Sequence, residues 1–445
     1  MTGAAGLLFL VLFFGWFMFF RGSVTDYSKA DIQLVDKNRA DVAVGLAGST
    51  NGTNSTSSAD GSLATSSSTA ANGSTQAGSS SDNTSDDTSG EGSLGSQNQN
   101  TFSDLTQNIS TDIPSLDALA GGILPQQLLP IDDAAYNAKM IELANVMAPA
   151  KKKTSSSTSA ASTAVATAST GNSLWPVKGP YPNTGALLPY DRIVAYYGNF
   201  YSGALGVLGA YPPQQMITKL MAEVDKWKAA DPNTPVVPAI DYIATTAQGS
   251  PGADGKYRLR MPADQIELAI SLANQIHGVV FLDVQDGWSS VQSEVSALAP
   301  YLKLPNVELA LDPEFSMPSG VKPGKQIGSM SAADINWASE YLQNIVQQNH
   351  LPPKVLVVHR FTYGMITDYK DIKLSSDVQM LIDMDGWGTQ PQKVKIYKDV
   401  VESEPVQFTG IKLFYKNDLR GASTGMLTPS QILKLSPRPS YIQFQ

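Results

Sequence analysis

A single pattern recurs eight times between residues 174 and 445 and restricts the fold of this chain more than any other feature. In each repeat, a short run of β-branched and aliphatic residues is followed by a turn and a longer amphipathic segment. Strands that alternate with helices in this way predict a parallel sheet. The eight runs are RIVAYYGNF (192–200), PVVPAIDYI (235–243), GVVFLDVQD (278–286), VELALDPEF (307–315), KVLVVHRFTYG (354–364), VQMLIDMDGW (378–387), GIKLFYKND (410–418) and SYIQFQ (440–445).

Eight strand and helix units in a segment of this length are expected of a (β/α)8 TIM barrel. An open doubly wound sheet is the alternative. The glycines after the first run, in YGNFYSGALGVLGAYPP, follow neither the GxGxxG nor the GxxxxGK spacing of nucleotide-binding turns. We therefore predict the α/β class, with a TIM-barrel domain over residues 174–445.

The N-terminal stretch GAAGLLFLVLFFGWFMFF, residues 3–20, is uncharged, apolar and near the minimum length for a helix that spans a bilayer. It has no Lys or Arg before it, unlike a typical cleaved signal peptide. We expect residues 1–22 to be a transmembrane signal anchor in the lipid bilayer. The positive-inside rule alone predicts a cytoplasmic barrel, because the nearest basic residues follow the stretch, at Arg21, Lys29, Lys37 and Arg39.

Low-complexity sequence separates this anchor from the barrel. Residues 23–112 are rich in Ser, Thr, Gly and Asn and predict a disordered stalk, because few side chains could be buried. Such a stalk favours a single-pass cell-membrane protein with an extracytoplasmic barrel. Residues 113–150 are a partly helical segment, and its helix at 131–148 either packs on the barrel or stays local to the linker. Residues 151–173 are a Ser/Thr/Ala-rich linker.

Composition argues against several function classes. The net charge of −9 provides no basic surface for a nucleic acid. The absence of cysteine removes disulfides, thiolate nucleophiles and Cys-ligated zinc. Only three histidines are present, which argues against a histidine-rich metal centre. The sequence contains no G-x-S-x-G nucleophile elbow or phosphate cradle, and we expect no cofactor.

Alternation along the barrel strands predicts which side chains meet at the axis. In the fourth run, Val307, Leu309 and Leu311 suit the helix-facing side, which leaves Glu308, Ala310, Asp312 and Glu314 pointing inward. The same assignment elsewhere places polar groups at the carboxyl ends of strands, where barrel enzymes have their active sites. These groups are Asp241, Asp283, His359, Asp383 and Asp385, with Tyr197, Asn199, Tyr415 and Gln443 as the compatible choices on the first, seventh and eighth strands.

Each of these residues also has a purely structural interpretation. A single strand-end aspartate most often caps a helix or makes a turn, as we expect for Asp286 and Asp385 before glycines. His359 alone is about as often a core histidine as a functional one. The aromatic residues are core by default, although Trp288 and Trp387 directly follow strand ends and could form the floor of a sugar subsite.

Paired carboxylates suit glycosidic cleavage, which needs one protonated acid for the leaving oxygen and one ionised group as nucleophile or base. Crowding of acids raises the pKa of one member and so supplies the proton donor. At this point the chain resembles the TIM-barrel glycoside hydrolases. Asp312-Pro313-Glu314 is similar to the Asp-x-Glu ending of the chitinase-type motif, a resemblance that implies Glu314 as the acid and Asp312 as its partner. The family also places an acidic residue where Asp383 lies in Asp-Met-Asp.

We therefore predict a membrane-anchored glycosidase acting on a polysaccharide or other glycan. Glu314 is the expected general acid, Asp312 tunes it, and Asp383 or Asp283 is the nucleophile or base. The expected substrate-binding residues are Asp241, Tyr197, Asn199, Trp288, His359, Asp385, Trp387, Tyr415 and Gln443. One alternative is a non-catalytic barrel that binds a glycan or protein partner at the cell envelope. Another is a Mg²⁺ or Ca²⁺ site made by Asp283, Asp312, Asp383 and Asp385, since hard cations prefer oxygen ligands.

Overall fold

The structure, a computed structural model, describes residues 131–145, 174–317 and 320–445. The expected membrane anchor at residues 3–20, the stalk at 23–112 and the linker at 151–173 lie outside these residues. Within the described part of the chain, no helix is both long enough and apolar enough to cross a membrane.

Eight parallel strands close into a barrel, which confirms the predicted (β/α)8 architecture. Each strand pairs with the next along the chain, and β8 pairs with β1 to close the ring, with Ile193 opposite Tyr441. The strands coincide with the eight predicted runs. They are β1 (Arg192–Gly198), β2 (Val236–Ala247), β3 (Val279–Val284), β4 (Val307–Leu311), β5 (Lys354–Arg360), β6 (Val378–Met384), β7 (Phe408–Leu413) and β8 (Tyr441–Phe444).

Helices follow the strands at the positions that the amphipathic segments predict. One of the two longest, α6, begins where the side chain of Ser331 accepts a hydrogen bond from Asp334 N, and ends at His350 in a left-handed conformation. The helices are α1 (Asp133–Ala144), α2 (Pro213–Ala230), α3 (Ala263–Gln275), α4 (Val291–Ala297), α5 (Ala299–Leu302), α6 (Ala332–Asn349), α7 (Gln390–Tyr397) and α8 (Pro429–Ile432). Short strands add a hairpin, Arg258–Arg260 on β2, and a separate pair, Met330–Ser331 with Ile366–Thr367.

The strand alternation sorts the buried side chains into two layers. Val307, Leu309 and Leu311 belong to the outer layer between strands and helices, as predicted. Ala310 belongs to the inner layer, which fills the barrel below its carboxyl-terminal end with apolar side chains that include Phe281 and Leu381. The barrel is therefore a packed core, and its polar groups gather at one end.

Helix α1 closes the opposite, amino-terminal end of the barrel. Its residues Tyr136, Met140 and Leu143 join the inner apolar layer. Its last turn is bound to the segment before β8, because Arg438 N donates to Leu143 O at 2.6 Å and Ser436 Oγ donates to Ala144 O at 2.7 Å. Of the two placements that the sequence leaves open, the structure shows packing on the barrel.

This packing predicts a difference between two neighbouring residues of α1. Met140 is 5% exposed and Ile141 is 55% exposed. Met140→Ala should lower the free energy of unfolding by about 2 kcal/mol, because it removes buried apolar volume. Ile141→Ala should change it by less than about 0.5 kcal/mol. Chemical denaturation of the full chain measures both, and equal effects would show that α1 does not pack in this register.

Candidate active site at the carboxyl-terminal end of the barrel

Four inward-facing residues from four strands form the deepest polar layer. Asp241 lies on β2, Asp283 on β3, His359 on β5 and Asp383 on β6, and all four side chains are fully buried. Gly410 on β7 makes room for them, because a Cβ atom at this position would lie 2.5 Å from Asp383 Oδ1. The absence of a side chain there lets the Asp383 carboxylate reach the barrel axis.

His359 lies between carboxylates on both sides of its ring. Nδ1 is 3.1 Å from Asp383 Oδ2 and 3.9 Å from Asp385 Oδ2, while Nε2 is 3.8 Å from Asp283 Oδ2. Burial alone would lower the pKa of His359, but the hydrogen bond to Asp383 and the charges of Asp283 and Asp385 outweigh it and raise the pKa to about 10. The ring is therefore an imidazolium at neutral pH.

Asp241 is held by two donors from β8. Tyr441 Oη and Gln443 Nε2 both donate to Asp241 Oδ2, at 2.6 and 2.7 Å. Burial raises the pKa of Asp241 to about 6, although the charge of His359 and the hydrogen bond from Tyr441 oppose the shift. Gln443 thus lies at the axis as the alternation predicts, and Tyr441 is a neighbour that the sequence analysis did not single out.

Lys412 is a second cation of this cluster and was missed from the sequence. Its side chain is buried, and its ammonium nitrogen lies 3.5 Å from the centroid of the Tyr197 ring. The charge lowers the pKa of Asp241, Asp283 and Asp385, against the larger opposing effect of burial. Strict alternation from Gly410 places Lys412 at the axis, whereas the sequence analysis assigned Tyr415 to the axis on this strand.

Three further carboxyl groups follow strands at the carboxyl-terminal end of the barrel: Asp312, Glu314 and Asp385. We call them the outer triad. Oxygen atoms from the three side chains all lie within 4.8 Å of one another. Asp312 directly follows β4, and Glu314 lies in the 3₁₀ turn Pro313–Phe315. Asp385 follows β6. The triad is the group that could hold a divalent cation through carboxylate oxygens.

Hydrogen bonds orient Asp312 within the outer triad. Gln285 Nε2 donates to Asp312 Oδ2 at 3.0 Å, and Tyr197 Oη donates to the same oxygen at 3.5 Å. Gln285 is itself oriented by Ala247 N, which donates to its Oε1 at 3.0 Å. Tyr197 therefore lies where the alternation predicts. Gln285 comes just after the end of β3 and was not predicted, because a single glutamine there has no distinctive pattern.

Glu314 is a carboxyl group of the triad whose surroundings favour its protonated form. Burial raises its pKa well above the ordinary value, and the charges of Asp312 and Asp385 raise it further. Burial also raises the pKa of Asp385, to about 7, although His359 and Lys412 oppose the shift. The side chain of Glu314 is half-buried, so the group remains reachable from the mouth of the barrel.

Two predicted positions differ in the structure. Asn199 does not face the axis: its Nδ2 donates to Ile243 O at 3.1 Å and its Oδ1 accepts from Tyr201 N at 2.9 Å. The alternation ends before it, at Gly198, where φ is +141°. Tyr415 lies outside the barrel, where its hydroxyl donates to Glu223 Oε1 at 3.0 Å. Gly410 and Lys412 face the axis, so strict alternation places Tyr415 on the helix-facing side, with Ile411 and Leu413.

Both predicted tryptophans lie in loops that follow strands at the carboxyl-terminal end. Trp288 is half-buried, its ring centroid is 4.2 Å from that of Tyr257, and its Nε1 donates to Val321 O at 3.0 Å. Trp387 is also half-buried, and its ring centroid lies 6.0 Å from the guanidinium carbon of Arg420.

No protein-family model and no curated protein matches the chain. Among solved structures, a mannanase of Bacillus subtilis, man26, shares 11% identity over 57% of this chain and 79% of its own, with a TM-score of 0.30. A second B. subtilis mannanase, BCman, shares 12% identity over 57% and 80%, with a TM-score of 0.28. The HPPK-DHPS protein of Plasmodium falciparum shares 11% identity over 59% and 46%, with a TM-score of 0.28.

Removing the central imidazolium should destabilise the protein in a pH-dependent manner. His359→Asn should lower the free energy of unfolding at pH 7 by about 3 kcal/mol, because Asp283 and Asp383 lose their buried partner. A raised pKa gives stability that is fully present below the unfolded value of about 6.5 and is lost as the pH rises through about 10. The difference between wild type and variant should therefore shrink between pH 7 and 10.

Urea denaturation across this pH range measures the effect. The matched control is His350→Asn, at an exposed, left-handed position that suits asparagine. A His359→Asn variant as stable as this control at pH 7 would contradict a charged His359.

Proposed function

We propose that this protein is a glycoside hydrolase that cleaves a glycan with paired carboxylates at the mouth of its barrel. The observation that carries the proposal is the outer triad, in which Glu314 retains a proton beside a carboxyl group that ionises more readily. Two acids whose environments separate their pKa values can divide the roles of proton donor and ionised partner. They lie at the end of the barrel where enzymes of this fold act.

Glu314 donates the proton to the leaving oxygen, and Asp385 is its ionised partner. Asp385 is 7% exposed, whereas Asp283 and Asp383 are fully buried on either side of His359. The proposal therefore assigns to Asp385 the role that the sequence analysis gave to Asp383 or Asp283. Asp312, fixed by Gln285 and Tyr197, keeps Glu314 protonated through its charge.

The short distance between the acids favours cleavage with retention of configuration. Retaining glycosidases hold their two carboxyl groups about 5 to 5.5 Å apart, whereas inverting enzymes need about 6.5 to 9.5 Å to admit a water molecule. Oxygen atoms of Glu314 and Asp385 lie within 4.8 Å. Asp385 would then attack the anomeric carbon directly, and Glu314 would later activate the water that releases the sugar.

The proposed setting is the outer face of a cell membrane. Residues 3–20 would anchor the chain in the bilayer, and residues 23–112 would hold the barrel away from it as a flexible tether. The substrate would then be a glycan of the cell envelope or its surroundings. These assignments rest on the composition of the sequence.

A divalent-cation site is the second candidate, because the same three carboxylates could ligate Mg²⁺ or Ca²⁺. The cations already present argue against it, since Lys412 and the His359 imidazolium lower the need for another positive charge. The two candidates respond differently to a chelator. Hydrolysis that is unchanged in EDTA supports the proposal, whereas hydrolysis that EDTA abolishes and Mg²⁺ or Ca²⁺ restores supports the cation site.

Glu314→Gln should reduce kcat on a natural glycan by about 1,000-fold, since positioned acids contribute about 100- to 10,000-fold. Loss of a proton donor matters less when the leaving group is already stable as an anion. The same variant should therefore lose far less activity on a dinitrophenyl glycoside of the same sugar. Glu340→Gln, an exposed site on α6, is the matched control and should retain activity. Equal losses on both substrates would contradict the role of Glu314 as acid.

The pH profile of kcat should be bell-shaped. Activity should rise as the pH passes about 7, where Asp385 ionises, and fall at higher pH as Glu314 loses its proton. Asp385→Asn should abolish turnover, and azide, a small anionic nucleophile, should restore release of the activated leaving group. If kcat did not rise near pH 7 and azide did not restore release of the leaving group, Asp385 would not be the nucleophile.

A further inference from the structure

An open groove of about 330 Å³ lies among residues that follow β1, β7 and β8, at the carboxyl-terminal end of these strands. One wall is the loop after β1, which includes Gly203, Gly206 and Tyr211. The other wall is formed by residues that follow β7 and β8, from Phe414 to Arg420 and Gln445. The chemistry proposed above uses none of these residues.

Phe414 connects this groove to the acid site. Its ring centroid lies 5.4 Å from the ammonium nitrogen of Lys412 and 5.1 Å from that of Lys393. Lys412 in turn lies against Tyr197, which donates to Asp312. Phe414 is thus linked to the outer triad through Lys412 and Tyr197.

The wall after β1 contains glycines where the loop packs closely on the backbone. A Cβ atom on Gly206 would collide with Tyr197 O, and one on Gly203 would lie 3.0 Å from Ala210 Cα. The loop therefore packs closely on β1. Tyr211 at the rim is 38% exposed and offers aromatic surface for a sugar ring, while Asn417 and Gln445 offer amide groups for hydroxyls.

The charged residues of the groove are cations. Lys416 and Arg420 both line it, both are exposed, and neither forms an ion pair with the described residues. Asp418, between them in the sequence, is fully buried, pairs with Lys393 at 3.2 Å and accepts from Phe414 N at 3.0 Å. Glu223, which accepts from Tyr415, is paired with Lys226 at 2.7 Å. In a chain of net charge −9, the groove is a local positive site.

We infer that this groove is a subsite for an acidic sugar, a uronic acid unit whose carboxylate pairs with Arg420 and Lys416. The inference rests on the proposed function, because it assigns the glycan bound at the outer triad to the anionic class. The guanidinium of Arg420 can bind a carboxylate through two parallel hydrogen bonds. The carboxylates of the triad repel such a unit, so the two sites together set which sugar of the chain is placed for cleavage.

The test is a binding measurement with matched probes. Oligogalacturonate and hyaluronan oligosaccharides are compared with the same oligosaccharides after their carboxyl groups are reduced to primary alcohols. Binding is measured by calorimetry on the full chain. The chain carries Glu314→Gln, because this substitution prevents turnover during the titration. We expect an acidic oligosaccharide to bind at least about ten-fold more tightly than its reduced form, and added salt to weaken this preference.

Replacing both cations should remove the preference without removing the neutral contacts. Lys416→Gln with Arg420→Gln should bind acidic and reduced forms equally, whereas Lys303→Gln, an exposed lysine at the end of α5, should keep the preference. Circular dichroism of the double variant checks its fold. Three results would overturn the inference. The chain with an unchanged groove could bind acidic and reduced oligosaccharides equally, the double variant could keep the preference for the acidic form, or no acidic probe could bind at all.

The outcomes also separate this inference from the proposed function. Cleavage of a neutral glycan that depends on Glu314, with no acidic preference, would retain the hydrolase and remove the acidic subsite. An acidic preference that depends on Arg420, with no cleavage of any glycan by the wild type, would retain the subsite and remove the hydrolase.

Discussion

The rest of the site depends on one interaction. The buried imidazolium of His359 pairs with the carboxylates around it. An isolated buried carboxylate costs several kcal/mol, because it loses its hydration. The barrel places six carboxyl groups at one end, from Asp241, Asp283, Asp312, Glu314, Asp383 and Asp385, and supplies two buried cations there, His359 and Lys412. Two cations cannot balance six anions. Several of the acids must therefore stay protonated, and this is the direction in which burial shifts the pKa of Asp241, Asp283, Glu314 and Asp385.

The fold produces this arrangement by separating apolar and polar layers along the barrel axis. Apolar residues such as Val279, Val355 and Phe408 fill the lower barrel, and α1 closes the amino-terminal end. The polar layer is thus accessible from one side alone. Within it, depth divides the acids: Asp283 and Asp383 hold the imidazolium, whereas Glu314 and Asp385 lie nearer the mouth. The outer pair is then placed to act on a substrate, while Asp383 orients the imidazolium through its hydrogen bond to Nδ1.

Regular alternation explains why much of this could be predicted from sequence. Within a barrel strand each residue faces opposite to its neighbours, so VELALDPEF alone assigned Ala310 to the axis and Leu309 to the helices correctly. The rule fails where a strand ends. Gly198 turns the chain before Asn199. On β7 the predicted phase was wrong: Tyr415 shares the helix-facing side with Ile411 and Leu413, whereas Lys412 faces the axis. The surface on which α1 packs could not be predicted. The apolar face of the helix shows that it is buried, but it does not show which part of the protein covers it.

The charge state of His359 tests the account most directly. Selective ¹⁵N labelling of histidine gives few imidazole signals, because the chain has three histidines, and their nitrogen shifts report protonation. The account predicts that His359 carries protons on both nitrogens at pH 7 and loses one only near pH 10. A ring that is neutral at pH 7 and titrates at the ordinary value of about 6.5 would contradict it, because the carboxylates of the barrel would then lack their central cation.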